Sequence, residues 1–148
     1  MDMKKQAVAK AEPITTFLEL EACSQVWAIP ALDVVRIIEF KKPEPLPEEG
    51  LLLSAIVEYE NQEVPFLSLG TLLEGKKESE GPIIIFDHKE GRIALGVSKV
   101  MTLKRIPDSL LAPVPPIIGD ERFKSILNFC YVDNDAIVPV ADIKNLEI

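Results

Sequence analysis

The sequence has few of the residues on which enzyme active sites are usually built. It contains one histidine, two cysteines and one tryptophan, and aromatic residues make up only 6% of the chain. The histidine, His88, lies between Asp87 and Lys89 in what reads as a hairpin turn, where solvated surface is the ordinary environment. Without a second histidine, and with Cys23 and Cys130 not spaced as ligands, no zinc site can be assembled from the usual donors. A cysteine nucleophile would need a base, and nothing places His88 near either thiol. Phosphate-binding and nucleophile-elbow signatures are absent. No apolar run approaches the roughly 20 residues needed to cross a bilayer. The polar start, MDMKKQAVAKAEP, lacks the apolar centre of a secretory signal. Together with the two lone cysteines this indicates a reducing, cytoplasmic setting. Positive charge is also short: 16 basic against 24 acidic residues gives a net charge of −8, which repels nucleic-acid backbones.

What the chain does have is apolar residues in short runs. Hydrophobic residues make up 47% of 148 positions, enough for the core of one compact domain. Ile14 to Leu20 and Val26 to Ile29 read as a hairpin, and Val34 to Phe40 as a further strand. Ile56 to Tyr59 and Glu63 to Leu69 flank Glu60-Asn61-Gln62; Ile83 to Phe86 and Arg92 to Val97 flank a turn in which Gly91 can take a positive φ. Val100 to Ile106 follows, then Leu127 to Val132 and Ile137 to Val140 around Asp133-Asn134-Asp135. Twelve prolines argue against long helices. Short helical turns are expected after Pro30, over Leu67 to Leu73, and after Asp142. The segments 41–50, 74–81 and 112–116 read as connectors, and the acidic, proline-rich run from Pro43 to Glu49 as a solvated loop rather than a cation site. Trp27, in an apolar strand, is expected in the core.

The chain also repeats itself. Val64-Pro65-Phe66-Leu67-Ser68-Leu69 matches Val138-Pro139-Val140-Ala141-Asp142-Ile143, each after a polar turn, and Ile29 to Ile37 lies in phase with Leu95 to Leu103. A separation of about 66 to 74 residues is too long for a solenoid and fits a duplicated small domain. Five or so short strands bury their edges best by curling into a small barrel, and two such barrels can share a third apolar layer. The expected fold is therefore all-β: a flexible tail over residues 1–13, then a single domain over 14–148 with barrel-like halves at about 14–73 and 82–148, terminal strands being open to exchange between them.

The order of these segments resembles the CheW-like domain of bacterial chemosensory arrays over nearly the whole chain from Ile14. The resemblance rests on Trp27-Ala28-Ile29-Pro30 through Val34-Val35-Arg36-Ile37-Ile38, the proline loop at Pro43-Glu44-Pro45-Leu46-Pro47, and Ala55 to Leu69 in place of the family's "GviNLRG.iiPvidL". It continues through Gly96-Val97-Ser98-Lys99-Val100 and the ending Val140-Ala141-Asp142-Ile143-Lys144-Asn145-Leu146. The resemblance implies two packed five-stranded, SH3-like barrels and a non-catalytic adaptor without cofactors or metal. Such an adaptor joins the cytoplasmic tips of chemoreceptors to the regulatory domain of a CheA-like histidine kinase. It reaches the receptor arrays through those partners, without inserting into the membrane itself. Val34, Val35, Arg36, Ile37, Ile56, Val57, Glu60 and Asn61 are the residues nearest the binding surfaces so implied. The motif's arginine and glycine are here Glu60 and Asn61, its glutamate is Arg36, and the aspartate of "VD.V" is Ser98. The exchanged signs suggest an Arg36–Glu60 ion pair of reversed polarity. They also leave room for a CheW-like module with another partner, in motility or polar localisation. A small-barrel nucleic-acid binder would need a basic groove and exposed aromatics, against which the charge and composition speak.

Overall fold

In the computed structural model, residues 12–22, 24–46, 55–69, 80–114, 127 and 129–145 are described. Residues 1–11 of the expected tail, Cys23, and parts of all three expected connectors (47–50, 74–79 and 115–116) lie outside them. The chain is mostly strand: β1 (Ile14–Ala22), β2 (Gln25–Pro30), β3 (Val34–Ile38), β4 (Glu44–Pro45), β5 (Ala55–Tyr59), β6 (Gln62–Ser68), β7 (Ile83–His88), β8 (Gly91–Gly96), β9 (Lys99–Pro107), β10 (Ala112–Pro113), β11 (Phe129–Asp133) and β12 (Ala136–Val140). Short 3-10 turns stand at Ala31–Asp33, Asp108–Leu110 and Ile143–Asn145. The first and last are two of the expected helical turns. Another was expected over Leu67 to Leu73: β6 holds the backbone extended through Ser68, Leu69 is helical, and residues 70–73 lie outside the described set.

Two six-stranded sheets form. Sheet A runs β10-β11-β12-β2-β1-β9 and sheet B runs β3-β7-β8-β6-β5-β4. Each comprises five full strands and one two-residue strand, β10 or β4, whose proline blunts the sheet edge. The two are copies of one pattern. Hairpin β1–β2 pairs Leu20 with Trp27 and Glu19 with Ala28; hairpin β7–β8 pairs Phe86 with Ile93 and Ile85 with Ala94. Both hairpins then take a parallel neighbour at their alanine, Val140 beside Ala28 and Phe66 beside Ala94. Even the irregularities repeat: the register slips where β3 meets β7, between Val34 and Arg36, and where β9 meets β1, opposite Leu18 and Leu20.

The two sheets are not built from consecutive halves of the chain, and an exchange of terminal strands was left open in the sequence. Sheet A takes β1 and β2 from the start of the chain and β9 to β12 from its end; sheet B is β3 to β8. Each repeat lends its first hairpin to the other. The connector around residues 74–81 therefore falls inside the segment that builds sheet B, and the chain changes sheet at Ala31–Asp33 and just before β9.

Three apolar clusters follow from this arrangement. Phe17, Ala28, Tyr131, Val138 and Val140 fill sheet A. Val57, Tyr59, Val64, Ile83, Ile85 and Ala94 fill sheet B. The largest cluster draws on both sheets, with Leu20, Ile29, Leu67, Phe86 and Leu95 among its members. Strands β1 and β7 are covered on both faces; β7 accordingly reads as a continuous apolar run over Ile83 to Phe86, whereas β1 reads as alternating because it carries the buried Glu19. Trp27 belongs to the shared cluster, with its indole N–H donated to the Ala22 carbonyl. His88, expected in a solvated turn, is instead the buried last residue of β7; its Nδ1 accepts the Glu90 backbone N–H. The hairpin turn is shorter than the sequence suggested, two residues between His88 and Gly91, and Gly91 does take the positive φ of 132°.

Candidate partner-binding surface

The residues singled out in the sequence lie on two elements of sheet B, the edge strand β3 and the β5–β6 hairpin. On the edge strand β3, Arg36 and Ile37 are both exposed, while Val34 and Val35 are half-buried. Val34 packs on the shared cluster and Val35 on the interior of sheet B. On β5, Ile56 is half-buried, and Val57 is 3% exposed and packs inside sheet B. Val57 is therefore a core residue and offers no surface to a partner, as the pleat requires for one of two adjacent positions. The loop after β3 is tied back to β5 by Lys41, whose Nζ donates to the Glu58 carbonyl at 3.0 Å.

Glu60 and Asn61 form the two-residue turn of the hairpin, with φ of 49° and 62°. Positive φ at both central positions is the type I′ geometry that matches strand twist. The equivalent turn between β11 and β12 is Asn134-Asp135, at 51° and 63°. Asparagine and aspartate tolerate this region better than most residues; glutamate does not share their short side chain.

Among the described residues no ion pair joins Arg36 to Glu60. The Glu60 carboxylate faces the guanidinium of Arg92 at 3.7 Å, with both side chains well exposed. Strand order explains the difference. β8, which carries Arg92, runs beside and parallel to β6, so its start lies at the same end of the sheet as the β5–β6 turn. β3 lies beyond both β7 and β8 from β6.

A second polar contact marks where the chain passes between sheets. Asp33 meets Lys144 at 3.8 Å, and the Lys89 N–H donates to the Lys144 carbonyl. Burial raises the Asp33 carboxyl above its usual range; Lys144 opposes this, and Asp142 and Asp87 add to it. Beside it Leu32 is 93% exposed, the most exposed large apolar residue among those described. The sequence placed Leu32 in a turn but drew nothing from it, although an apolar residue in a turn has no strand face through which to be buried. Also missed were Val132 and Ile137, directly paired across β11 and β12 and both more than half exposed. At the corresponding positions of sheet B stand Glu58 and Glu63, likewise paired and exposed. No group of three or more histidine, cysteine or acidic side chains is arranged to hold a metal among the described residues. No described helix is long and apolar enough to cross a membrane.

The comparisons with known proteins are consistent with this geometry. The profile of the CheW-like domain matches residues 16–147, almost the whole chain. The chain belongs to the CheW-like domain family. Among solved structures, the fold is similar to that of the scaffolding protein TtCheW from Thermoanaerobacter tengcongensis. The TM-score is 0.80 at 16% identity, covering 94% of this chain and 92% of that one. No curated protein matches the sequence. The family is one of non-catalytic scaffolds in chemotaxis signalling, which act through protein partners. Within it, this chain keeps the strand framework and differs at positions 36, 60, 61 and 98 from the motif described above.

Proposed function

We propose that this chain is an adaptor that couples chemoreceptor tips to the regulatory domain of a CheA-type histidine kinase. It works in the cytoplasm and joins receptor arrays through its partners. The reading is carried by the extent of the family match: residues 16–147 span both sheets. Arg36, Ile37, Glu60 and Asn61 are the exposed members of the binding residues inferred from the family, with Val34, Val35 and Ile56 supporting them from half-buried positions.

Calorimetric titration against the regulatory domain of the host's own kinase, and separately against receptor tips, tests the proposal. Saturable binding to both is expected, with Ile37→Glu and Glu60→Arg weakening at least one of them. Like charges or an unpaired charge at an interface cost several kcal/mol, so the loss should exceed about tenfold. Binding to neither partner would overturn the adaptor reading.

A second reading is favoured by the altered motif itself. Glu60 and Arg36 present charges opposite to those of the typical adaptor, and such inversion is a means of rejecting a wrong partner. The module would then serve a different protein of the same cell, in motility or polar localisation. Affinity capture from a strain lacking the kinase, with the captured protein then bound in purified form, separates the two.

A further inference from the structure

One end of sheet B joins the two elements that carry the binding residues inferred from the family. Strand β7 is antiparallel to β3 and to β8, β8 is parallel to β6, and β6 is antiparallel to β5. The start of β3, the β7–β8 turn and the β5–β6 turn therefore stand at the same end of the sheet. The 3-10 turn Ala31–Asp33, which leads into β3, stands there too. Contacts tie these pieces together: Asp33 meets Lys144, the Lys144 carbonyl accepts the Lys89 N–H, and Arg92 meets Glu60.

Among the described residues at this end, Leu32 is the one large apolar side chain left exposed, and at 93% exposure it contributes almost nothing to the core. A single exposed apolar residue is ordinary in itself. The setting of Leu32 is not. Pro30 fixes the entry to its turn, the Val34 N–H closes the turn on the Ala31 carbonyl, and Lys144 holds the Asp33 carboxylate. The side chain thus projects from a backbone with little freedom left to lose on binding. Its counterpart in the repeat is Ser98, at the other point where the chain changes sheet. Ser98 is polar and half-buried, and its N–H donates to the Glu21 carbonyl. The duplicated framework therefore does not itself require a leucine at this place. The neighbouring turns expose Lys89, Glu90, Glu60 and Asn61, so the end as a whole offers one apolar anchor among polar groups, the composition of a binding hot spot and its rim.

We propose that Leu32 is the apolar anchor by which this chain holds the regulatory domain of the CheA-type kinase, an inference that rests on the adaptor reading above. A projecting side chain on a rigid turn needs a concave apolar pocket to enter. A folded domain can offer one, whereas the tip of a receptor is convex. Lys89, Glu90 and Glu60 carry both signs of charge, so the rim of that pocket is polar and of mixed sign.

The affinities of the full chain and its variants for the host kinase's regulatory domain, and separately for receptor tips, test this. Leu32→Ala should weaken binding to the kinase domain at least about tenfold, as loss of a leucine buried at an interface does. Leu32→Met keeps the apolar volume and should stay within about threefold of the parent. Binding to receptor tips should change by less than about twofold in either variant, and Tm by less than about 2 °C, because the side chain is exposed in the fold. If the unaltered chain binds the kinase domain and Leu32→Ala binds it equally well, or loses receptor tips as strongly, the anchor is refuted and the adaptor reading stands. If the unaltered chain does not bind the kinase domain, both fall.

Discussion

The β5–β6 turn yields a prediction in which backbone and charge oppose one another. Glu60 holds a φ of 49° at the first central position of a type I′ turn, where a non-glycine residue pays about 1–2 kcal/mol. Its compensation is an ion pair with Arg92 at 3.7 Å between two well-exposed side chains, a class worth roughly 0–1 kcal/mol. The backbone term is the larger, so Glu60→Asn should stabilise the fold by about 0.5–1 kcal/mol, giving the first hairpin the residue that Asn134 supplies in the second. For a chain of this length that is a rise of about 1–4 °C in Tm. Glu60→Gln is the control, because it removes the charge and keeps the backbone problem; its effect should stay within about 0.5 kcal/mol. Urea denaturation followed by Trp27 fluorescence measures both. If both variants lose more than about 1 kcal/mol, the Arg92 pair outweighs the turn and the reasoning fails.

Other consequences follow from the core and the buried polar groups. Leu20 is fully buried in the cluster shared by the two sheets, so Leu20→Ala should cost about 2–5 kcal/mol and shift the unfolding of both sheets together. A loss below about 1 kcal/mol, or separate transitions, would show that the shared layer does not couple them. Burial and the Glu19 carboxylate push the Tyr131 hydroxyl well above its ordinary value. Its contribution is then fully present below the unfolded phenol value of about 10 and lost as pH rises beyond it, so Tyr131→Phe should lessen the fall in stability on going from pH 9 to pH 11. Asp33 is also raised, so its contribution is present below the usual carboxylate range and lost as pH rises through its folded value. Asp33→Asn should therefore compare more favourably with the parent at pH 7 than at pH 3.5, and an equal difference at both would count against burial as the cause.

Strands and turns were legible in the sequence because alternation and polar turns are local signals. The duplication was legible too, since Val64-Pro65 and Val138-Pro139 fall at the same place on β6 and β12. An exchange of terminal strands was left open in the sequence, but which strands exchange was not legible. Both hairpins carry a similar apolar pattern, and Glu19, buried in sheet A, reads in an alternating strand as one more solvent-facing charge. The ion pair of Glu60 was misassigned for a related reason: opposite signs at motif positions say nothing of strand order, and Arg92 becomes its neighbour only through the parallel contact of β6 with β8. His88 looked like a turn residue because the strand that buries it runs two pairs further than its apolar residues do. Of the surface residues, Arg36, Ile37, Glu60 and Asn61 stand exposed, while the pleat turned Val57 inward.

The adaptor reading is tested most directly by reconstitution. Membranes bearing the host's chemoreceptors are mixed with its CheA-type kinase, with and without this chain, and sedimented. The account predicts that the kinase sediments with the membranes only when the chain is present, that the chain sediments with it, and that Ile37→Glu diminishes both. Equal recovery of the kinase in the absence of the chain, or a chain that stays in the supernatant, would contradict it.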